Sequence, residues 1–197
     1  MRELSLNVMD IAQNSISAGA SLITITVEED AGLDELSISI GDNGRGMTPE
    51  QVEHVTDPFF TTRTTRSVGL GVPLFKMEAE MTGGRFSIES TVGVGTTTTA
   101  VFKPSSVDMI PLGDINGTVS MLVMMNPDLD FLYTRGFKPE GGERREFALD
   151  TRELRTVLGE DVPLNLPDVT GWVNDFLSEN TDELLNDLQN QEGATDI

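Results

Sequence analysis

The sequence predicts an α/β fold, with helices packed on a sheet that begins as an antiparallel hairpin, followed by a smaller α/β region. Three observations predict it. Residues 3–18 carry Leu4, Val8, Ile11 and Ser15 at helical spacing. Two runs that alternate with period 2, residues 22–27 and 36–40, flank a turn containing Gly32. A further helical stretch, 72–81, leads into two more strand-like runs, 85–90 and 96–102.

Each element has a local reason. Ala18-Gly19-Ala20 ends the first helix, with Gly19 suited to the left-handed cap. In the hairpin, Leu22 and the Ile and Val residues face a helix layer. Thr48-Pro49-Glu50-Gln51 opens a short helix to about residue 55: Thr48 caps, Pro49 takes the first position and Gln51 the third. Residues 61–68 show no periodicity and read as a loop. The helix at 72–81 tolerates Pro73 in its first turn, presents Leu74, Met77 and Met81 on one face, and stops at Gly83-Gly84. Pro104-Ser105-Ser106 marks a boundary that divides residues 1–104 from an acidic α/β region, 105–188. Beyond it, residues 114–125 read as a helix with Ile115, Val119, Leu122 and Val123 in register. Residues 131–137 and 146–149 read as a strand pair, and Asp150-Thr151-Arg152-Glu153 opens a helix that Gly159 closes. After Pro167 comes a helix whose Trp172 and Phe176 are expected in a core. Residues 189–197 read as a disordered tail.

Composition excludes several classes. The formal net charge is -20, which disfavours a bare nucleic-acid surface. No apolar run is long enough to span a bilayer, Met1-Arg2-Glu3-Leu4 lacks a signal-peptide core, and there is no cysteine. The expectation is a cytoplasmic protein without disulfides or thiolate metal sites. Charge is uneven: residues 1–103 hold 14 acidic and 7 basic side chains, a net of -7, and residues 104–197 hold 19 and 6, a net of -13. The acidic half reads either as a solvated surface or as a face for a basic protein partner.

Four motifs carry chemistry. Asp10 and Asn14 lie one helical turn apart. The Asn14 amide oxygen is a suitable Mg²⁺ ligand, and Asp10 is placed to orient a water near a terminal phosphate. A solvated helix face is the alternative. In Asp42-Asn43-Gly44-Arg45-Gly46-Met47, a carboxylate that can accept from an adenine amine precedes two glycines that let the backbone approach the ring. Met47 is suited to wall the base. An ordinary Asp-Asn-Gly turn is the alternative there. Phe59 and Phe60 anchor one end of a mobile loop from which Arg63 and Arg66 reach phosphates, or else form a core pair beside a solvated loop. Gly69 and Gly71, at the start of a helix, offer backbone N–H groups to an anion.

Together these residues resemble the GHKL superfamily of ATP-binding domains, which includes gyrase, histidine kinases and MutL. The N box resembles residues 10–20, the first glycine box 42–47, the F box 57–63 and the second glycine box 68–71; Gly83-Gly84 and Gly93-Val94-Gly95-Thr96-Thr97 also match the histidine-kinase pattern. The resemblance spans residues 3–103. It implies a two-layer α/β sandwich, the Bergerat fold, with ATP between helices and lid. It implies that Asn14 holds Mg²⁺, that Asp42 reads adenine and that Thr97 assists near the base. Gly44, Gly46, Gly69 and Gly71 shape the pocket, and Met47, Thr61, Arg63 and Leu70 join the nucleotide contacts.

The N-box acid of the family is commonly Glu; Asp10 is one methylene shorter, which disfavours fast hydrolysis. Within the sequence no phosphoacceptor-histidine segment precedes the N box, and His54 reads as an ordinary helix or loop residue. The expectation is a stand-alone Mg-dependent ATP-binding protein, an ATPase or protein kinase acting on a separate partner. The alternative is an ATP-sensing module with little or no turnover. The sequence sets no oligomeric state.

Overall fold

The computed structural model describes residues 3–56, 71–159 and 162–192, with side chains as far as residue 185. Its elements run α1 (Leu4–Ser17), β1 (Leu22–Asp30), β2 (Glu35–Asp42), α2 (Pro49–Val55), α3 (Gly71–Met81), β3 (Arg85–Thr91), β4 (Gly95–Phe102), α4 (Ile115–Met125), β5 (Asp130–Lys138), β6 (Arg145–Asp150), α5 (Thr151–Leu158) and α6 (Pro167–Glu192). The strands form one six-stranded sheet in the order β3-β4-β2-β1-β5-β6. All neighbours are antiparallel except β1 and β5, which pair in parallel from Leu22–Asp130 to Asp30–Lys138. The boundary expected at residue 104 falls between β4 and α4, and strands from both sides of it share this sheet. α6 extends to Glu192, past residue 189 where the sequence predicts fraying.

Alternation decides which sheet face is apolar. Ile23, Ile25 and Val27 of β1, Ile38 and Ile40 of β2, and Phe131 and Tyr133 of β5 are buried in one core with α1, α3, α4 and α6. Thr24, Thr26, Ser37 and Ser39 point to the other face, where the Ser39 and Thr99 hydroxyls are 2.9 Å apart. Leu22 has the parity of Thr24 and leaves the helix side, a correction that period 2 requires. The core is sealed by aromatic contact: Phe75 and Phe102 lie 5.5 Å apart, tilted by 53°.

The helix layer places α1 against both α3 and α4, with α4 against α6. α1 buries Leu4, Val8, Ile11, Ala12 and Ser15, as its apolar stripe requires. In α3 the buried face is Val72, Phe75 and Ala79, while Met77 and Met81 are 46% and 54% exposed. The expected Leu74–Met77–Met81 face is therefore the outer one; both triplets have helical spacing, and the aromatic ring takes the core. In α6 the same rivalry runs between Val169-Val173-Leu177 and Trp172-Phe176. The first stripe is buried. Trp172 is 48% exposed and stacks on Phe176 at 5.1 Å, so it is not in the core.

The caps follow the sequence. Thr48 and Gln51 form a reciprocal capping box on α2. Asp150 accepts from the Arg152 N–H at the start of α5, and Asp114 accepts from the Gly117 N–H at the start of α4. No helix among the described residues is long and apolar enough to cross a membrane.

Candidate functional site

α1, the turn after β2, α3 and β4 enclose a cleft of about 200 Å³. Its apolar wall includes Ile11, Ile40, Met47, Val72 and Ile88, and its polar lining includes Asn14, Ser15, Asp42, Arg45, Thr96 and Thr98. This is the mixture expected of a small-molecule site: mostly apolar contact area with a few placed polar groups.

Asp42 is held from two sides. One carboxylate oxygen accepts the Gly44 N–H at 2.8 Å, and the other accepts the Ser15 hydroxyl at 2.7 Å. A carboxylate offers about four acceptor positions, so roughly two stay open to a donor in the cleft. Ser15 is one cleft residue that the sequence alone does not mark as polar in role. Its spacing puts it in the apolar stripe of α1, and it is buried there, but its hydroxyl donates to Asp42.

The turn after Asp42 is built by backbone proximity. The Arg45 N–H donates to the Ala18 carbonyl at 3.0 Å, and the Gly93 N–H donates to the Arg45 carbonyl at 2.8 Å. The turn is thereby tied to the end of α1 and to the β3–β4 connection. Gly46 has φ +64°, and a Cβ there would lie 2.0 Å from the Thr91 carbonyl oxygen. Only glycine fits such a contact. Asn43 faces away from the cleft: its side-chain oxygen accepts the N–H groups of Ser21 and Leu22 at 2.9 and 3.0 Å. The Asp-Asn pair therefore divides its work, Asp42 to the cleft and Asn43 to the start of β1.

The polar stripe of α1 separates in the same way. Asn14 is exposed at the cleft. Asn7 is buried and donates to the Glu78 carboxylate of α3, fixing one helix to the other. Asp10 is exposed beside the first residue of α3, where a Cβ on Gly71 would lie 2.8 Å from the Asp10 Cβ. The missing side chain at Gly71 is what lets α3 begin against Asp10. Helix starts leave backbone N–H groups unpaired within the helix, so this corner is suited to an anion.

Thr97 is not in this cleft. It pairs with Gly41 on β2 and opens to the opposite sheet face, near Thr24 and Ser39. Strand alternation puts Thr96 and Thr98 on the cleft side instead, opposite Asp42 and Ile40. The register of β4 against β2 is the signal that would have found them. Thr61, Arg63, Gly69 and Leu70 lie outside the described residues. His54 sits exposed on α2. Among the described residues no group of three or more His, Cys, Asp or Glu side chains forms a metal cluster.

The family described as "Histidine kinase-, DNA gyrase B-, and HSP90-like ATPase" matches residues 1–106. The sensor histidine kinase ZraS of Salmonella typhi is 34% identical over 89 residues, which cover 45% of this chain and 19% of that protein. The sensor protein SrrB of Staphylococcus aureus is 34% identical over 102 residues, covering 49% of this chain and 17% of that one. The chain thus spans about a fifth of the length of these relatives. A crystal structure of the N-terminal domain of a DNA repair protein shares the fold, with a TM-score of 0.50 and 16% identity over 76% of this chain and 53% of the other.

Proposed function

Because the chain belongs to the histidine kinase-, DNA gyrase B- and HSP90-like ATPase family, we propose that it binds ATP with Mg²⁺ in the α1–β2–α3 cleft and passes the terminal phosphoryl group to water or to a separate protein. The observation that carries this reading is the convergence of Asn14, Asp42, Gly46, Met47 and Val72 on one cleft.

Each residue has a role that its chemistry suits. Asp42, already fixed by Ser15 and Gly44, accepts from the exocyclic amine of adenine. Met47 and Ile88 provide apolar contact for the ring, and Thr96 or Thr98 supplies a hydroxyl beside it. Asn14 offers the amide oxygen for Mg²⁺, whose preference is for oxygen ligands shared between protein, water and phosphate. The metal supplies charge neutralisation of the phosphates. The N-terminus of α3 at Gly71 takes a phosphate, and Asp10 beside it orients the attacking water or hydroxyl. Thr61, Arg63, Gly69 and Leu70 complete the contacts in this reading. The protein acceptor is engaged through the acidic region that follows residue 104.

A second reading, an ATP-sensing module with little turnover, is favoured by the short reach of Asp10. Incubation with γ-labelled ATP separates the two. The primary reading expects label released as phosphate or transferred to an added protein, with Asn14→Ala abolishing Mg²⁺-dependent turnover. Bound ATP without release or transfer supports the sensing module. Turnover unaffected in Asn14→Ala removes Asn14 from the metal site.

A further inference from the structure

A second cavity, separate from the nucleotide cleft, is larger than it. It is a groove of about 480 Å³ formed by β6, α5 and α6. Its surface is apolar: Leu149, Leu154, Val157, Val169, Trp172 and Phe176 line it. Val157 is 84% exposed and Trp172 48%, so apolar area stands open to solvent along the groove. Such area is unfavourable unless something covers it.

Charge identifies the chemistry of the cover. Glu153 of α5 and Asp168 of α6 both line the groove, and neither is in an ion pair among the described residues. Trp172, Glu179 and Glu183 follow at helical spacing on α6, and no lysine or arginine occurs in the sequence after Arg155. Five cations of this half are engaged in ion pairs with other carboxylates. Arg135, Lys138 and Arg144 pair with Glu29, Asp30 and Glu28 at the far end of the β1–β2 hairpin, while Arg152 and Arg155 pair with Asp150 and Asp130.

We propose that this groove docks a basic amphipathic helix of a partner protein, with its apolar side chains on Trp172 and Leu154 and its lysines or arginines against Glu153 and Asp168. An apolar trough with carboxylates from both helices is complementary to a helix that carries Leu or Phe on one face and cations on its flanks. Trp172 is suited to be the energetic centre, since tryptophans that become buried on binding dominate such interfaces. The groove is separate from the nucleotide cleft, so this docking stands or falls independently of ATP binding.

The experiment uses the whole chain and a synthetic Leu/Lys amphipathic helix of about 18 residues, long enough to form on binding. Trp172 is the sole tryptophan, so its emission reports the groove directly. Saturable binding, a blue shift and protection from acrylamide are expected. The double variant Glu153→Lys/Asp168→Lys is expected to weaken binding about tenfold. A control, Glu50→Lys/Glu53→Lys on the distant α2, is expected to leave it unchanged, and circular dichroism checks that both variants are folded. Equal weakening in the two variants, equal binding of a scrambled peptide or of a Leu/Glu helix, or no binding at all overturns the proposal. A mass that doubles with protein concentration and reverts in Trp172→Ala assigns the groove to a second copy of the chain and overturns it as well.

Discussion

The α1–β2–α3 cleft and the α5–α6 groove are built on different principles. The cleft is small, walled by aliphatic side chains with a few placed polar groups among them, and shaped by glycines whose absent side chains let backbone approach backbone. Its key carboxylate, Asp42, is held on both oxygens by the protein itself. The groove is larger, walled by long apolar and aromatic side chains, and two of its carboxylates, Glu153 and Asp168, are in no ion pair among the described residues. Preorganisation suits a ligand of fixed shape that must be held for chemistry. An open apolar trough with charged walls suits a partner that brings its own complementary surface. Each contrast gives a substitution that acts on one site and spares the other.

The largest effect is expected at Gly46. A Cβ there would lie 2.0 Å from the Thr91 carbonyl oxygen at φ +64°. Gly46→Ala is expected to destabilise the fold by roughly 2–4 kcal/mol and to remove ATP binding, read by chemical denaturation and by nucleotide titration. A stable variant with native affinity would show that the turn is not a rigid wall of the site.

Next comes Asp42→Asn, expected to weaken ATP binding by about 1–3 kcal/mol through loss of the charge-assisted hydrogen bond. Ser15→Ala removes only the donor that orients Asp42, and about 0.5–1.5 kcal/mol is expected. If Ser15→Ala cost more than Asp42→Asn, the hydroxyl itself would be the ligand contact. Trp172→Ala sharpens the comparison from the other side: ATP affinity is expected to be unchanged. In the unmodified protein, acrylamide is expected to quench Trp172 efficiently, because the side chain is half exposed.

The smallest effect at neutral pH is expected at Tyr133, buried in the core. Burial pushes its phenol up to about 12, and among the described residues its hydroxyl has no hydrogen-bond partner. The unfolded chain ionises this tyrosine near its ordinary value of 10, while the folded chain keeps it protonated to about 12. The folded state therefore holds the extra proton between these values, and stability falls as pH rises through that window. Tyr133→Phe is expected to be near neutral at pH 7 and to flatten the alkaline loss. Tyr133 is the sole tyrosine, so absorbance titration reads its ionisation without interference.

Much of the cleft was legible in the sequence because its geometry is local. Glycines at Gly44, Gly46 and Gly71, and the one-turn spacing of Asp10 and Asn14, are set by backbone requirements within a few residues. What stayed hidden depended on register and on competition between faces. Thr97 was expected at the base, yet the pairing of β4 with β2 turns Thr96 and Thr98 that way. Ser15 could only be seen as a partner of Asp42 once α1 was packed beside the turn after β2. The caps at Thr48 and Asp150 were local and readable. The solvent exposure of Trp172 and of Met77 was not, because two apolar stripes share each helix and only tertiary packing chooses between them. The parallel pairing of β1 with β5, more than a hundred residues apart, leaves no mark on either strand.

Calorimetric titration of the folded chain with Mg-ATP, set beside Asp42→Asn, is the most direct measurement of the central claim. The account predicts a saturable heat with one site per chain and a clear loss of affinity in the variant. No heat from well-folded protein, or the same affinity in both, would contradict it.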